Sequence, residues 1–261
     1  METGLAGKRA FVSGSTQGIG FAVAAACAAE GASVVINGRD EQRVENAVER
    51  IRAAVPDSDV SGIAADFADP QQVETLLEAL TDVDVLVNNV GRFEVSPFSQ
   101  ARDAQWLEDF EVNVMSGVRL SRSLLDPMLA KGWGRIIFIG TESAVDVPGE
   151  MIRYGATKAA ALALSNGLAK LTRGTAVTVN TVIGGPTYST GVADTVEHIA
   201  AEQATSPEAL KSALVRETSL IQRFIDPEEI ANLVIYLAST KSSATNGAAL
   251  RTDGGVLPTT L

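Results

Sequence analysis

Short runs rich in β-branched residues alternate with longer Ala- and Leu-rich segments along the whole chain, and this rhythm limits what it can fold into more than any other feature. The β-rich runs fall at 9–13, 33–37, 60–65, 83–88, 135–139, 176–182 and 248–252. Helical segments are expected at 18–30, 41–54, 70–80, 104–131, 151–173 and 227–239. Parallel strands need a crossover, and a helix supplies it, so the pattern implies βαβ units. Breakers sit between the segments, including Gly31, Pro56, Gly132-Trp133-Gly134 and Gly174. There is no internal repeat or linker, so the 261 residues are expected to form a single α/β domain, 1–261. Its expected form is a doubly wound parallel sheet of about seven strands with helices on both faces. Hydrophobic residues make up 46% of the chain and aromatics only 5%, so small aliphatic side chains must fill the core. The stretch 186–226 is polar, Thr- and Glu-rich, and interrupted by Pro207, and it is expected to form one or two mobile helices outside the sheet as a lid.

Directly after the first strand stands Ser13-Gly14-Ser15-Thr16-Gln17-Gly18-Ile19-Gly20. Glycines allow a tight strand-to-helix turn and let backbone amides approach a pyrophosphate, while the helix N-terminus favours negative charge. The spacing G-x-x-x-G-x-G differs from the usual dinucleotide fingerprint, but its place in a βαβ unit favours a nucleotide site of Rossmann type. The second strand runs into Gly38-Arg39-Asp40. An acidic residue here serves the ribose 2′-hydroxyl of NAD and an arginine the 2′-phosphate of NADP. Arg39 therefore favours NADP(H) over NAD(H), with Asp40 one residue on keeping the second option open.

Tyr154 and Lys158 are four residues apart and share a helix face. A phenol titrates near 10 in water, and an ammonium held beside it is expected to bring that value down. So tuned, Tyr154 can act as a general acid–base. The same spacing also occurs by chance on solvated helices, so the pair gains weight only from the rest of the chain.

A net charge of −11 disfavours nucleic acid and anionic membranes as partners. One histidine and one cysteine leave little to build a metal site from, and none is expected. Cys27, in an Ala-rich helix, is expected to be a packed side chain, and His198 an ordinary residue of the lid. Residues 1–8 show no charged-then-apolar leader and no apolar run reaches 18 residues, so a cytoplasmic protein without a membrane segment is expected. The helix around Ala159-Ala160-Ala161-Leu162-Ala163-Leu164 is apolar all round. Its second face is expected to meet another subunit, making a homo-oligomer, dimer or tetramer.

With Gly14, Gly18, Gly20, Asn88-Asn89-Val90-Gly91, Asn113, Tyr154-Lys158 and Thr252-Asp253-Gly254-Gly255 in order, the chain resembles the short-chain dehydrogenase/reductase family nearly end to end. The resemblance implies hydride transfer between NADP(H) and a carbonyl or secondary alcohol of a small or medium-sized substrate. It implies that Gly14, Ser15, Thr16, Gln17, Gly18, Ile19 and Gly20 form the phosphate turn, with Asp66 and Phe67 at the adenine end. Asn89 and Gly91 would line the middle of the cofactor, Gly185 and Thr187 its nicotinamide end, and Lys158 would also bind the nicotinamide ribose. Catalysis would fall to Tyr154, Lys158, Asn113, which would hold a water chain to Lys158, and the residue thirteen before the tyrosine. The family has serine there and this chain has Thr141, with Ser143 close by as a substitute. Gly184 also departs from the family's Pro-Gly and is expected to loosen the segment over the nicotinamide, and Val90 replaces a common alanine. A 3-oxoacyl thioester reductase is the narrower alternative, though an acidic chain offers no basic patch for an acidic carrier. A dehydratase or epimerase using bound cofactor is a further enzymatic reading. A non-catalytic NADP-binding regulatory protein on the same fold is the alternative from another class.

Overall fold

The computed structural model describes residues 2–94, 96–203 and 205–260. Seven strands, β1 (Arg9–Val12), β2 (Ser33–Gly38), β3 (Val60–Ala64), β4 (Val85–Asn88), β5 (Gly134–Thr141), β6 (Val177–Gly184) and β7 (Ala249–Thr252), form one sheet in the order β3-β2-β1-β4-β5-β6-β7. All pairs are parallel. The order reverses between β1 and β4, and a crevice outside the carboxyl ends of the strands opens there. Central strands β4 and β6 are buried at every position, whereas the edge strands β3 and β7 are partly exposed. Burial on both faces is why apolar residues stand at successive positions, as in Val34-Val35-Ile36 and Val85-Leu86-Val87.

Helices α1 (Gly18–Ala29), α2 (Glu41–Ala54) and α9 (Pro227–Ala238) bury their apolar residues on one face of the sheet. Helices α3 (Pro70–Ala79), α5 (Ser116–Lys131) and α6 (Ile152–Leu171) cover the other. Asp40 caps α2, Asp69 caps α3, and an Asp226–Glu229 capping box with Pro227 starts α9. Cys27 is fully buried in the first core, and burial, with Glu30 adding to it, pushes its thiol up to about 12.

Two local departures from the sequence expectation, and the form of the 186–226 insertion, bear on the site. The single helix expected over 104–131 is divided: α4 (Asp103–Phe110) passes through a π-helical stretch, Glu111–Met115, into α5. That wider turn carries Asn113, and such bulges often mark functional positions. Gly184 does not loosen its segment. It is the last residue of β6, paired with Thr141 and Thr252, and a Cβ there would stand 2.9 Å from Ile230 Cδ1, so close packing of α9 explains the glycine. The insertion between β6 and α9 folds as α7 (Thr190–Glu202) and α8 (Pro207–Ala213), with Ala204 of the expected lid outside the described residues. Its two stems are tied together by backbone bonds from Tyr188 to Ile225 and from Ile225 to Pro186.

Candidate active site

The turn between β1 and α1 is held by short polar side chains. Gly14 sits at φ +60°, a left-handed conformation that disfavours a side chain. A Cβ on Gly20 would lie 2.5 Å from both the Gly14 carbonyl oxygen and Asn89 Nδ2, so the turn closes only with glycine. Asn89 Nδ2 donates to the carbonyls of Ser13 and Gly14, and Ser13 Oγ accepts the N–H groups of Asn89 and Val90. Asn89 thus braces the turn as well as lining the groove beyond it.

Ser15 corrects its expected role. It is fully buried, donates to the Val12 carbonyl at 2.6 Å and accepts the Asn37 N–H at 2.9 Å, so its hydroxyl locks β1 to β2 and the residue does not line the cavity. Asn37, to which sequence reasoning gave no role, is the second half of that lock: Oδ1 accepts from Gly14 N–H and Nδ2 donates to the carbonyls of Ile63 and Ala65. A polar residue in an otherwise apolar strand is the signal that would have found it.

A cavity of about 990 Å³ runs across the carboxyl ends of the strands. Gly14, Thr16, Gln17, Gly18, Ile19 and Gly20 line it at the turn, Arg39 and Asp40 after β2, and Asp66 and Phe67 after β3. Asn89 and Gly91 follow after β4, then Thr141, Tyr154, Lys158, Gly185 and Thr187. Arg43 also lines it beside Arg39. Asp40 spends its carboxylate on the Arg43 N–H at the start of α2, at 2.8 Å. The residues fit a dinucleotide. Helix α1 begins with no side chain capping its first N–H groups, and those orphan donors suit a phosphate.

At the far end, Tyr154 and Lys158 stand near the start of α6. Lys158 is buried, donates to the Ile139 carbonyl at 3.1 Å, and is held down to about 8 by burial. Its ammonium is 5.8 Å from the Tyr154 ring centre. The expectation that it lowers the phenol is reversed in the free chain. Burial, then the Glu142 carboxylate, push Tyr154 above its ordinary value, and a hydrogen bond with Thr141 opposes this only in part. Tyr154 is therefore a phenol through the neutral range, with Phe93 packed edge-on against its ring at 5.7 Å.

Thr141 donates its hydroxyl to Glu142 Oε2 at 2.6 Å and accepts the Ser143 N–H at 3.3 Å. Ser143 is buried, donates to Glu142 Oε1 and does not line the cavity. His198 lies on the exposed side of α7, away from the cavity. Asn113 is also buried beside the cavity rather than on its wall. Its Oδ1 accepts the Arg92 N–H at 2.6 Å, and Nδ2 donates to the Arg92 carbonyl and to Thr157 Oγ1. The amide fixes the loop after β4 to α6.

A charged network, which no sequence pattern indicated, underlies the tyrosine. Arg153 is 4% exposed and contacts Asp109 Oδ2 at 2.7 Å and Glu94 at 2.8 Å. Asp109 is 1% exposed and also faces Arg92 at 3.5 Å. Burial pushes the Asp109 carboxyl up, against the pull of Arg153 and then Arg92. The Arg153–Asp109 contact is charge on charge, since its atoms form no aligned hydrogen bond.

A glycine turn at the strand-order reversal and a Tyr-Lys helix at the other end of one cavity define a nucleotide-dependent enzyme class. Residues 8–200 match the short chain dehydrogenase family. The chain is 43% identical to the uncharacterized oxidoreductase YvaG of Bacillus subtilis over 98% of both chains. It is 31% identical to the 3-oxoacyl-(acyl-carrier-protein) reductase FabG of Vibrio cholerae over 97% of this chain and 98% of that one. The crystal structure of L-sorbose reductase from Gluconobacter frateurii, complexed with NADPH and L-sorbose, superposes with a TM-score of 0.94 at 31% identity, covering 99% of this chain and 100% of that one. The chain belongs to the short-chain dehydrogenase/reductase family. It is an NAD(P)-dependent oxidoreductase acting on CH–OH/C=O groups.

Proposed function

We propose that the chain reduces the carbonyl of a small or medium-sized substrate with NADPH, with Tyr154 as the general acid. The observation that carries the reading is the single cavity lined by the glycine turn at one end and by Tyr154, Lys158 and Thr141 at the other. A bound NADPH would supply the hydride. The chain's own residues do the rest. The α1 N-terminus and the turn amides bind phosphate, Tyr154 delivers its proton to the carbonyl oxygen, and Lys158, a cation below about pH 8, stabilises the phenolate left behind. Asn113 holds the loop that carries Phe93 against Tyr154. The L-sorbose reductase relative, solved with NADPH and L-sorbose, supports a small carbonyl substrate. Incubating the protein with NADPH and a panel of ketones while following nicotinamide absorbance tests this, and binding without turnover of any ketone would sink it.

NADP(H) is favoured because Arg39 and Arg43 line the cavity together while the Asp40 carboxylate is already engaged as a helix cap. Losing charge-assisted bonds to a phosphate costs roughly 10- to 100-fold. Replacing Arg39 and Arg43 by alanine should therefore raise KM for NADPH about that much while leaving NADH nearly unchanged, and an equal loss with both cofactors would count against the assignment.

The apolar stretch of α6 supports a homo-oligomer, dimer or tetramer. Leu171 on this helix is 63% exposed in the single chain, and Ala163 is exposed too. Light scattering in solution should give a multiple of the 27.2 kDa chain mass, and a monomer at micromolar concentration would refute it. Among the described residues no helix is long and apolar enough to cross a membrane, and a cytoplasmic location goes with this reading.

A further inference from the structure

A chain of polar contacts runs from the insertion between β6 and α9 to the catalytic phenol. Arg216 stands three residues past the end of α8, and its Nη2 reaches Glu142 Oε1 at 3.3 Å. Glu142 Oε2 accepts the Thr141 hydroxyl at 2.6 Å, and Thr141 is hydrogen-bonded in turn to the Tyr154 phenol. Glu142 is 5% exposed, so its charge has left water, and Ser143 Oγ beside it is a neutral donor. Arg216 supplies the cation that faces it. A buried carboxylate without a counter-charge opposes a second negative charge next to it. The pair joins two separate parts of the chain. Glu142 follows the end of β5, whereas Arg216 belongs to the insertion. There, α8 is held to the stem by Lys211 over the Tyr188 ring at 3.7 Å, and the return limb bonds to the Gly254 carbonyl through the Leu220 and Ile221 N–H groups.

We propose that Arg216 is a positioning residue: the insertion delivers its guanidinium to Glu142 and so sets the charge beside the Tyr154 hydroxyl, making proton transfer depend on the insertion being seated. The inference rests on the carbonyl-reductase reading above. In alcohol oxidation, the reverse of that reaction, the Tyr154 phenolate takes the hydroxyl proton while a hydride leaves the carbon for the nicotinamide. A seated Arg216 offsets Glu142 and favours the phenolate; a displaced one leaves Glu142 to oppose it. The other groups around the phenol are the same in both states. Lys158 faces it from α6, Thr141 from β5 and Phe93 from the loop after β4. Beneath lie Arg92 and Arg153 with Glu94 and Asp109, two charges of each sign. Arg216 and Glu142 both stand off the cavity wall, so they act through their neighbours.

The test follows kcat/KM against pH for oxidation of the alcohol made from the best ketone of the panel, at saturating NADP+, where the rise with pH reports the phenol. Arg216→Gln should move that rise to higher pH by about half a unit, the size expected of a partly exposed charge acting through one neighbour. Glu142→Gln should move it lower. In that background Arg216→Gln should shift it by less than about 0.2 of a unit, as a double-mutant cycle requires of a residue acting through Glu142. Arg216→Lys keeps the charge and should hold the rise near its wild-type position. Arg223→Gln, which breaks the exposed Arg223–Glu229 pair at the base of the same insertion, should leave it in place. A second readout needs no cofactor: trypsin should cut the free Arg216→Gln protein at Lys211 about fivefold faster than the wild type, because the insertion is seated less often. An unmoved rise in folded Arg216→Gln overturns the inference, and so does an unaltered rate of cutting. A shift that persists with Glu142 already replaced, or that Arg216→Lys reproduces in full, overturns it too. Should Arg216→Gln not fold, the double variant, which strands no charge, is compared with Glu142→Gln alone, and a difference between their profiles overturns the inference. Turnover with an unmoved rise sinks the inference alone, whereas a wild type that turns over no ketone and no alcohol sinks the reductase reading and the inference with it.

Discussion

Tyr154→Phe should lower carbonyl reduction by about 10³-fold while NADPH affinity stays within about twofold, since a positioned general acid contributes roughly 10²–10⁴. Phenylalanine keeps the ring and its edge-on contact with Phe93 at 5.7 Å. Only the hydroxyl goes, together with its bond to Thr141. The fold has no reason to change, so the loss reads out chemistry. Steady-state absorbance gives turnover and fluorescence titration gives cofactor affinity; retention of a tenth of the wild-type rate would remove Tyr154 from the reaction. A pH profile adds a second check. Burial and Glu142 keep the phenol protonated through neutrality, so the acid is available across that range. Lys158 is held down to about 8, which means it is a cation below that pH and neutral above it. The reductive kcat/KM should therefore hold to about pH 8 and decline beyond it, as the charge that stabilises the departing phenolate disappears.

The direction of the phenol's shift marks where sequence reading stopped. That Tyr154 and Lys158 share a face follows from a spacing of four residues, and that they meet the glycine turn across one cavity follows from strand order. Both are consequences of local periodicity and were legible. What Lys158 bonds is not local: its ammonium turns to the Ile139 carbonyl on β5, while Glu142 arrives from the end of the same strand. Ser15 failed for the same reason, since only the approach of β2 shows that its hydroxyl is consumed by Val12 and Asn37. The π-helical turn at Glu111–Met115 was not legible because α4 buries only Asp109, so it carries no apolar stripe whose phase could show the shift into α5. Gly184 looked permissive as a letter and is compelled by Ile230, 46 residues further on.

Arg153 carries the largest expected effect on stability. Its guanidinium is 4% exposed and lies 2.7 Å from an Asp109 carboxylate that is 1% exposed, so both charges have left water. Such a pair contributes little net stability compared with apolar residues of the same volume, but removing one partner strands the other and costs roughly 3–5 kcal/mol. In Arg153→Met, Asp109 keeps only Arg92, at 3.5 Å and partly exposed, so the lower end of that range is expected, about 3 kcal/mol at pH 7. For a domain of this size that is roughly 6–12 °C in Tm. The pH dependence has a definite sign. Asp109 already has a raised carboxyl, so its ionised form is penalised in the folded state at pH above the unfolded value. Losing Arg153 removes the strongest force pulling it back down, and the penalty grows. Protonation relieves it, so the Tm deficit should shrink as pH falls from 7 toward 5. Thermal melts of both proteins at the two values decide the point, and a deficit independent of pH would mean that Asp109 is not the stranded charge. Because Arg153 also pairs with Glu94 on the loop of Phe93, the variant should lose turnover at temperatures where it is still folded. The network then links the stability of α4 to the loop that packs Phe93 against Tyr154, which a surface ion pair of equal length would not do.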